Sequence, residues 1–239
     1  MDLIIEGIRK ASLLIYTLDA ELMGIVLLSL KVSLTALSVG AILGVPAGAL
    51  ICLKNRFPLR HFVLNILNTA MGLPPVVVGL FLYLMLSRRG PLGFMGILYT
   101  APAMIIAQSI LAFPIVASLS YAAIGSVPPI IRQAALTLGA TSYQSAMAIV
   151  KEARYGIISG VMAAFGRLSA EVGAVLIVGG NIAGRTRVIT SAIVLETDKG
   201  DFSQAIALGI VLLGISFCVN IALYFFSRRG NAAGYRYWV

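Results

Sequence analysis

The chain has 239 residues, of which 59% are hydrophobic and 11% charged, and its formal net charge is +9. A soluble protein normally carries about 25% charged residues. The composition therefore excludes a soluble enzyme or binding protein and indicates an integral membrane protein. No polar stretch is long enough to bury a core of its own, which predicts one all-α membrane domain over residues 1–239. Cys52 and Cys218 lie in apolar runs and match no disulfide or metal-ligand spacing.

Residues 2–18 predict an amphipathic helix. Such a helix either lies at the membrane interface or leads directly into the first span, and the spacing leaves both readings open. The acidic residues Asp2 and Glu6 argue against a cleavable signal peptide. The apolar face of the helix carries Ile4, Ile8, Ala11, Ile15 and Leu18.

Five apolar stretches follow, each long enough for the ~20 residues that a bilayer requires. The second is interrupted by Gly72-Leu73-Pro74-Pro75. Between the fourth and fifth, Val188–Leu195 is apolar enough to re-enter the membrane edge. The predicted spans are Leu22–Leu53, Phe62–Leu86, Ala101–Ile124, Gly156–Val178 and Phe202–Phe226.

The basic residues predict the orientation of these spans. Five spans place the termini on opposite sides, and cytoplasmic segments are enriched in Lys and Arg. The prediction is therefore a cytoplasmic C-terminus and an N-terminus outside, with Tyr235–Trp238 as an interface anchor. This distribution also explains the net charge without a nucleic-acid partner. The cytoplasmic basic residues are Lys54, Arg56, Arg60, Arg132, Lys151, Arg154, Arg228, Arg229 and Arg236.

Residues 126–152 form the longest polar insertion, and they predict two short helices joined by a turn. Pro129 suits the first position of a helix, because the missing N–H costs nothing there. Gly139 suits a left-handed helix stop. Thr141 and Gln144 match a capping box that starts the second helix. From spacing alone, a surface for a soluble partner and an ordinary cytoplasmic loop remain equally open.

The insertion also contains Q-A-A-x-x-x-G, from Gln133 to Gly139, with Ile149 ten residues beyond the glycine. This pattern resembles the cytoplasmic signature of ABC importer permeases, E-A-A-x3-G-x9-I-x-L-P. Gln133 replaces the usual Glu, and Lys151 and Glu152 replace the usual Leu and Pro. Because Pro is absent, the second helix is expected to run straight into the fourth span.

Other segments are similar to molybdate and tungstate permeases of this superfamily. Lys151-Glu152-Ala153 and Gly179-Gly180-Asn181 favour the tungstate type. The similar segments are Leu28–Ser33, Leu73–Gly79, Ser87–Gly90, Glu171–Ala174 and Gly180–Arg187.

The resemblance implies the fold of a type I ABC importer transmembrane domain, with about five spanning helices and a cytoplasmic coupling helix. It also implies a homodimer, an ABC ATPase subunit dimer and an extracytoplasmic tungstate- or molybdate-binding protein. ATP and Mg would bind the ATPase, and this chain indeed lacks a G-x-x-x-x-G-K-[ST] phosphate loop. The alternative is an ion-coupled secondary transporter or channel, although no convincing inverted repeat is present. The implied ATPase-coupling residues are Arg132, Gln133, Ala134, Ala135, Gly139, Ile149, Lys151 and Glu152.

Lys31, Arg167 and Glu171 are charged residues within predicted spans. Such charges cost several kcal/mol unless they are paired or hydrated. Arg167 and Glu171 are four residues apart on one helical face, and Lys31 lies at a similar depth, so either cation is able to pair with Glu171. A salt-bridged lock and a transient contact with a passing oxyanion are both compatible with this arrangement.

Pro74 and Pro75 lie near the middle of the second span, where they predict a kinked helix. The kink either lines the pathway or only serves packing, and the resemblance favours the pathway. Five further polar residues are candidates for an outer gate or a binding-protein contact, with a solvated loop as the competing interpretation. They are Arg88, Arg89, Asn181, Thr186 and Arg187.

Overall fold

The computed structural model describes residues 2–17, 19–54 and 59–228, and these residues form helices without any strand. A short 3₁₀ turn, Gly93–Met95, lies between α4 and α5. The helices are α1 Asp2–Thr17, α2 Ala20–Leu53, α3 Arg60–Met71, α4 Pro75–Leu86, α5 Ala101–Gly125, α6 Pro129–Thr137, α7 Ser142–Glu152, α8 Arg154–Ser169, α9 Gly173–Gly179, α10 Ile189–Asp198 and α11 Phe202–Arg228.

Three of these helices, α2, α5 and α11, are long and apolar enough to cross a membrane on their own. Two further spans are bent pairs: α3 and α4 meet at 97°, and α8 and α9 meet at 58°. The total reaches the predicted five when each pair counts as one span. The expectation of an uninterrupted fourth span is wrong, because α8 ends at Ser169 and α9 begins only at Gly173.

The centre of the bundle is the contact between α2 and α5. Gly40, Gly44 and Gly48 occur every fourth residue along α2, so they share one face. A Cβ atom at Gly40 would lie 2.7 Å from Cβ of Ala112, and one at Gly48 would lie 2.5 Å from the carbonyl oxygen of Ala117. Small residues at this spacing let two membrane helices approach closely, and α5 consequently becomes the most buried of the long helices.

The broken spans pack against this centre and against each other. Gly79 of α4 faces α9, where a Cβ atom would lie 2.8 Å from Cα of Ala174. Phe165 and Leu168 of α8 are buried in the same core as Met104 of α5. The two bends therefore belong to one packed body.

At the other side of the bundle, α1 and α10 pack against α11. Gly7 is buried, and a Cβ atom there would lie 2.5 Å from Cγ2 of Ile206. The apolar run that was expected to re-enter the membrane forms α10, in which Ile189 is buried in a cluster with Leu22 and Leu208.

Helix α1 confirms the predicted N-terminal helix, and it packs against α11 through a side other than the one that carries Ile8. Ile8 is exposed, and contact with α11 is made through Gly7 and Lys10. Leu18, Arg229 and the Tyr235–Trp238 anchor lie outside the described residues, as do the side chains of Ile4, Ala11 and Ile15.

Asp201 joins α1 to the start of α11. Its carboxylate accepts hydrogen bonds from the backbone N–H of Gln204 at 3.0 Å and the hydroxyl of Ser203 at 2.8 Å. Nζ of Lys10 lies 3.3 Å away. The bond from Gln204, followed by those from Ser203 and Lys10, lowers the pKa of Asp201 from its usual value.

This lowered pKa predicts how stability depends on pH. The Asp201 carboxylate stabilises the fold above the pKa of the unfolded chain, about 3.9, and that contribution is lost as the pH falls through the lower folded-state pKa. We expect the thermal midpoints of the wild type and Asp201→Asn to differ at neutral pH and to converge on acidification. Parallel curves over the whole range would contradict this role.

Candidate translocation and coupling elements

The polar insertion folds as the predicted helix–turn–helix. Pro129 is the first residue of α6. Gly139 has φ +84°, and the N–H groups of Gly139 and Ala140 bind the carbonyls of Leu136 and Ala135 at 3.0 Å each, which is the Schellman arrangement. The capping box at the start of α7 is also confirmed, since Thr141 and Gln144 bind each other's backbone N–H.

Helix α6 has no buried residue in the described protomer, and its main contact is with α7. Leu138 at its end is 88% exposed and Ile130 is 64% exposed. Arg132, Gln133 and Ala134 are exposed, while Ala135 is half-buried. An apolar surface this open on a short projecting helix is typical of an interaction site.

Ile149 occupies a different position from the other candidate coupling residues. It is buried with Ile124 of α5, Ala153 and Ile157 of α8. Lys151 and Glu152 are exposed at the C-terminal end of α7. Ile149 therefore connects α7 to the membrane helices α5 and α8, and it offers no surface to a partner.

The junction between α7 and α8 consists of one residue, Ala153. Its backbone dihedrals, φ −71° and ψ −5°, remain in the helical region. The N–H of Ala153 binds the carbonyl of Ile149 at 2.9 Å, and the N–H of Ile157 binds that of Ala153 at 3.0 Å. The expected direct run of α7 into the fourth span is thus interrupted by a single turn residue. Beyond Ala153 the chain continues as α8, which contains Arg167. Glu171 lies beyond the end of α8.

The predicted kink at Pro74 and Pro75 is present as a complete break. Pro75 is the first residue of α4, and Pro74 precedes it with an extended ψ of 122°. The N–H groups of Val77 and Val78 both bind the Pro74 carbonyl, at 3.0 and 3.3 Å. The break thus redirects the chain while keeping these backbone groups paired.

Glu171 lies in the second break, between α8 and α9, and is 5% exposed. Its Oε1 accepts a hydrogen bond from the N–H of Ala174 at 2.9 Å, and its own carbonyl accepts one from the Thr190 hydroxyl at 2.9 Å. A carboxylate in this position caps the start of α9, where helix N–H groups lack partners.

Neither of the expected ion pairs of Glu171 forms within the described residues, whose salt bridges join other groups. The i,i+4 geometry required a continuous helix, and that helix ends before Glu171 is reached. Lys31 and Arg167 are exposed on the described protomer. A cation that faces lipid is costly. The side chains of Lys31 and Arg167 therefore belong against water or protein.

The cap predicts the effect of removing the Glu171 carboxylate. Glu171→Ala leaves the Ala174 N–H without its acceptor and should cost about 1–3 kcal/mol, whereas Glu171→Gln retains an acceptor oxygen and should cost less. Thermal unfolding in one detergent measures this, with the exposed Glu6→Ala as a control. An unchanged midpoint for Glu171→Ala would contradict the capping role.

The loop between α9 and α10 is internally bonded. Thr186 is 1% exposed, donates to the Gly179 carbonyl at 2.6 Å and accepts from the Ile182 N–H at 3.0 Å. Asn181 has φ +49°, and its side chain binds the hydroxyl and carbonyl of Ser191. Thr186 and Asn181 shape this loop from within, so neither side chain forms a freely open surface.

The arginines near the predicted outer mouth differ from these two residues. Nη1 of Arg187 lies 3.3 Å from Oε1 of Glu21, which ties the loop to the start of α2. Arg88 and Arg89 are exposed, in the loop after α4. Within the described residues, no hydrogen bond or ion pair joins Arg88 and Arg89 to Arg187, whose partner is Glu21.

Sequence reasoning missed a buried polar group around Gln108 of α5. Its Nε2 lies 3.4 Å from the Leu168 carbonyl, and its Oε1 has no partner within the described residues. Ser29, Thr190 and Glu171 line the same cavity, in which the space open to the centres of water molecules is about 30 Å³. That space is sufficient for an ordered water. The available signal was a glutamine in the middle of an apolar span.

Two broken spans, three long spans and a projecting helix pair are the architecture of a multi-pass helical membrane protein. The chain belongs to the family of binding-protein-dependent transport system inner membrane components, whose model matches residues 40–231. It is therefore a permease subunit of an ABC importer and is not itself catalytic, since the ATPase is a separate subunit.

Two relatives cover most of this chain. It is 43% identical to the tungstate uptake system permease protein TupB of Peptoclostridium acidaminophilum, over 94% of this chain and 98% of that protein. It is 45% identical to a probable anion ABC transporter permease protein of Haloferax volcanii, over 83% of this chain and 88% of that protein.

A solved structure of the MetNI methionine ABC transporter in inward-facing conformations has the same fold. Its TM-score is 0.68 at 16% identity, over 88% of this chain and 98% of that chain. This likeness establishes the type I importer architecture that the sequence resemblance implies.

Proposed function

We propose that this chain forms the pathway of an importer that moves tungstate, or the related oxyanion molybdate, from outside the cell into the cytoplasm. The observation that carries the proposal is the exposed helix α6, in which no residue is buried and whose C-terminal cap, Leu138, is 88% exposed. The tungstate and anion transport named for the two relatives supports the choice of substrate.

The proposed assembly contains two copies of this chain, two ABC ATPase subunits and an extracytoplasmic binding protein. The coupling segment, residues 126–152, contacts the ATPase through Arg132, Gln133, Ala134, Ala135 and Gly139. ATP and Mg bind the ATPase, which agrees with the lack of a phosphate loop in this chain.

Closure of the ATPase pair on ATP would displace α6 and α7 together. Ile149 would carry that movement to α5 and α8, because it is packed against Ile124 and Ile157. Packed elements of this kind move between discrete arrangements and do not deform continuously. The pathway would then open alternately to the two sides of the membrane.

The proposed orientation has the N-terminus outside and the C-terminus in the cytoplasm of a prokaryotic cell, in its inner membrane. The excess of Lys and Arg in the segments near α6 supports it. The proposed pathway residues are Lys31, Pro74, Pro75, Arg167 and Glu171, and the proposed outer contacts are Arg88, Arg89, Asn181, Thr186 and Arg187.

Reconstitution with the ATPase and the binding protein tests the proposal. We expect ATP hydrolysis and uptake into proteoliposomes to rise when the binding protein is loaded with tungstate or molybdate, and sulfate provides the comparison anion. Uptake driven by an ion gradient without any ATPase would instead identify a secondary transporter and overturn the proposal.

A further inference from the structure

Helix α3 has two different sides. Leu67 is 7% exposed and packs with Ile51 of α2 and Ala117 of α5. The opposite side is open in the described protomer, with Phe62 60% exposed and Ile66 51% exposed. An open side on a helix within a membrane span must meet lipid, protein or water.

A line of polar or small residues runs along that open side. His61, Asn65, Asn68 and Gly72 are all exposed and occur every third or fourth residue, so they form one continuous stripe. We call these four residues the α3 polar stripe. A shallow groove of about 350 Å³ adjoins it, lined by Phe62, Asn65, Ile66, Thr69, Ala70 and Leu73.

The two amides of the stripe are unpaired. Among the described residues, no hydrogen bond is formed by the side chain of Asn65 or Asn68. Asn220 and Ser38 in the long helices, by contrast, bind their own backbone: Asn220 donates to the Ser216 carbonyl at 2.9 Å, and Ser38 donates to the Leu34 carbonyl at 2.8 Å. An unpaired amide in hydrocarbon costs several kcal/mol, so this stripe does not face lipid.

The stripe extends into the membrane from the end of the bundle that carries α6. Nη2 of Arg60, at the start of α3, donates to the hydroxyl of Tyr121 at 2.8 Å, near the end of α5. Further along α3, Leu67 packs with Ala117, which lies earlier in α5. The two helices therefore run in opposite directions, and α3 follows the spanning helix α5 away from the coupling end.

We propose that the α3 polar stripe lines the inner part of a water-filled route, where Asn65 and Asn68 donate hydrogen bonds to the passing oxyanion. The inference rests on the proposed function as an oxyanion importer. Each amide offers two N–H donors and no charge, so the contact is favourable but weak enough to permit release. A second copy related by a two-fold axis would contribute an equal stripe.

Gly72 continues the stripe to the break before α4. A Cβ atom there would meet only the Thr69 carbonyl, at 3.5 Å. The position is therefore not needed for close packing within the protomer. Its missing side chain leaves the route wide where the helix ends.

Thiol accessibility in the complete complex tests the stripe. After Cys52 and Cys218 are replaced by serine, single cysteines are placed at Asn65, Asn68, Ile66 and Leu67. Reaction with the water-soluble anion 2-sulfonatoethyl methanethiosulfonate is followed in lipid nanodiscs. We expect Asn65→Cys and Asn68→Cys to react at least about tenfold faster than the other two, and tungstate delivered by the binding protein to slow the reaction.

Ile66→Cys is the matched control, because Ile66 is also open in the described protomer but is apolar and lies outside the α3 polar stripe. Equal labelling rates at Asn65→Cys, Asn68→Cys and Ile66→Cys would mean that water reaches the whole open side of α3. That result would overturn the inference. The inference would also be overturned if the complex transported tungstate but tungstate did not slow the labelling of Asn65→Cys and Asn68→Cys.

A charge substitution gives a second readout. Asn68→Asp should reduce tungstate uptake by about tenfold or more, because the carboxylate repels the anion and removes its donors, whereas Asn68→Gln keeps the amide and should retain most uptake. Equal uptake by both variants overturns the inference. If the wild-type complex transports no oxyanion, the proposed function fails. If the wild type transports tungstate but Asn65→Cys and Asn68→Cys stay unlabelled, only the inference about the stripe fails.

Discussion

Leu138→Asp is expected to abolish co-purification of the ATPase while leaving the permease folded. Leu138 caps the C-terminal end of α6 and is 88% exposed, so the protomer gains almost nothing from its side chain. Surface substitutions of this kind usually change stability by less than about 0.5 kcal/mol. At the centre of an interface, by contrast, loss of an apolar anchor costs about 2 kcal/mol or more, which corresponds to about 30-fold in affinity.

The measurement is a pull-down of the ATPase by tagged permease, with the thermal midpoint of each permease variant recorded in the same detergent. Phe94→Asp is the matched control, because Phe94 is 84% exposed and lies in the loop between α4 and α5. Leu138→Met, which keeps the apolar volume, should retain the complex. If Leu138→Asp recovered as much ATPase as the wild type, the ATPase would have to bind the permease without Leu138.

The local structure of the coupling pair was predictable from the sequence because its signals act over three or four residues. Thr141 and Gln144 form the capping box wherever a helix begins at Ser142. Gly139 supplies the positive φ that the Schellman turn requires. Nothing distant has to be known for either feature.

The environment of Glu171 could not be predicted in the same way. Its separation from Arg167 suggested an ion pair only if the helix continued, and no proline marks the place where α8 ends. The break is held partly by the Thr190 hydroxyl, nineteen residues further along the chain. A sequence pattern carries no record of such a contact.

Thr186 shows a similar limit. A polar residue beside an arginine in a loop suggested an outer contact, yet Thr186 is 1% exposed and closes the loop by two hydrogen bonds.

The asparagines of α3 lie in a stretch that the sequence identifies as a span, and the sequence does not show which side of that helix is packed. Only the packing of Leu67 showed which side of that helix stays open.

Gly48→Val is expected to prevent folding of the permease. A Cβ atom at Gly48 would lie 2.5 Å from the carbonyl oxygen of Ala117 and 2.9 Å from the N atom of Tyr121. Both are backbone atoms of α5, so no side-chain rotation relieves the clash. Overpacking of a core costs about 1–3 kcal/mol and occasionally more, and a rigid backbone contact places this substitution at the upper end or above.

A graded series separates this close approach from the general effect of glycine in a helix. Gly24 has no heavy atom within 4 Å of its Cβ position, and Gly24→Ala should keep or slightly raise stability, by about 0.5–1 kcal/mol. At Gly44 the Cβ would lie 3.0 Å from side-chain atoms of Val116, so Gly44→Ala should cost less than Gly48→Ala. Yield of monodisperse protein and its thermal midpoint give the order. If Gly48→Ala were as stable as Gly24→Ala, the backbones of α2 and α5 could not be in such close contact.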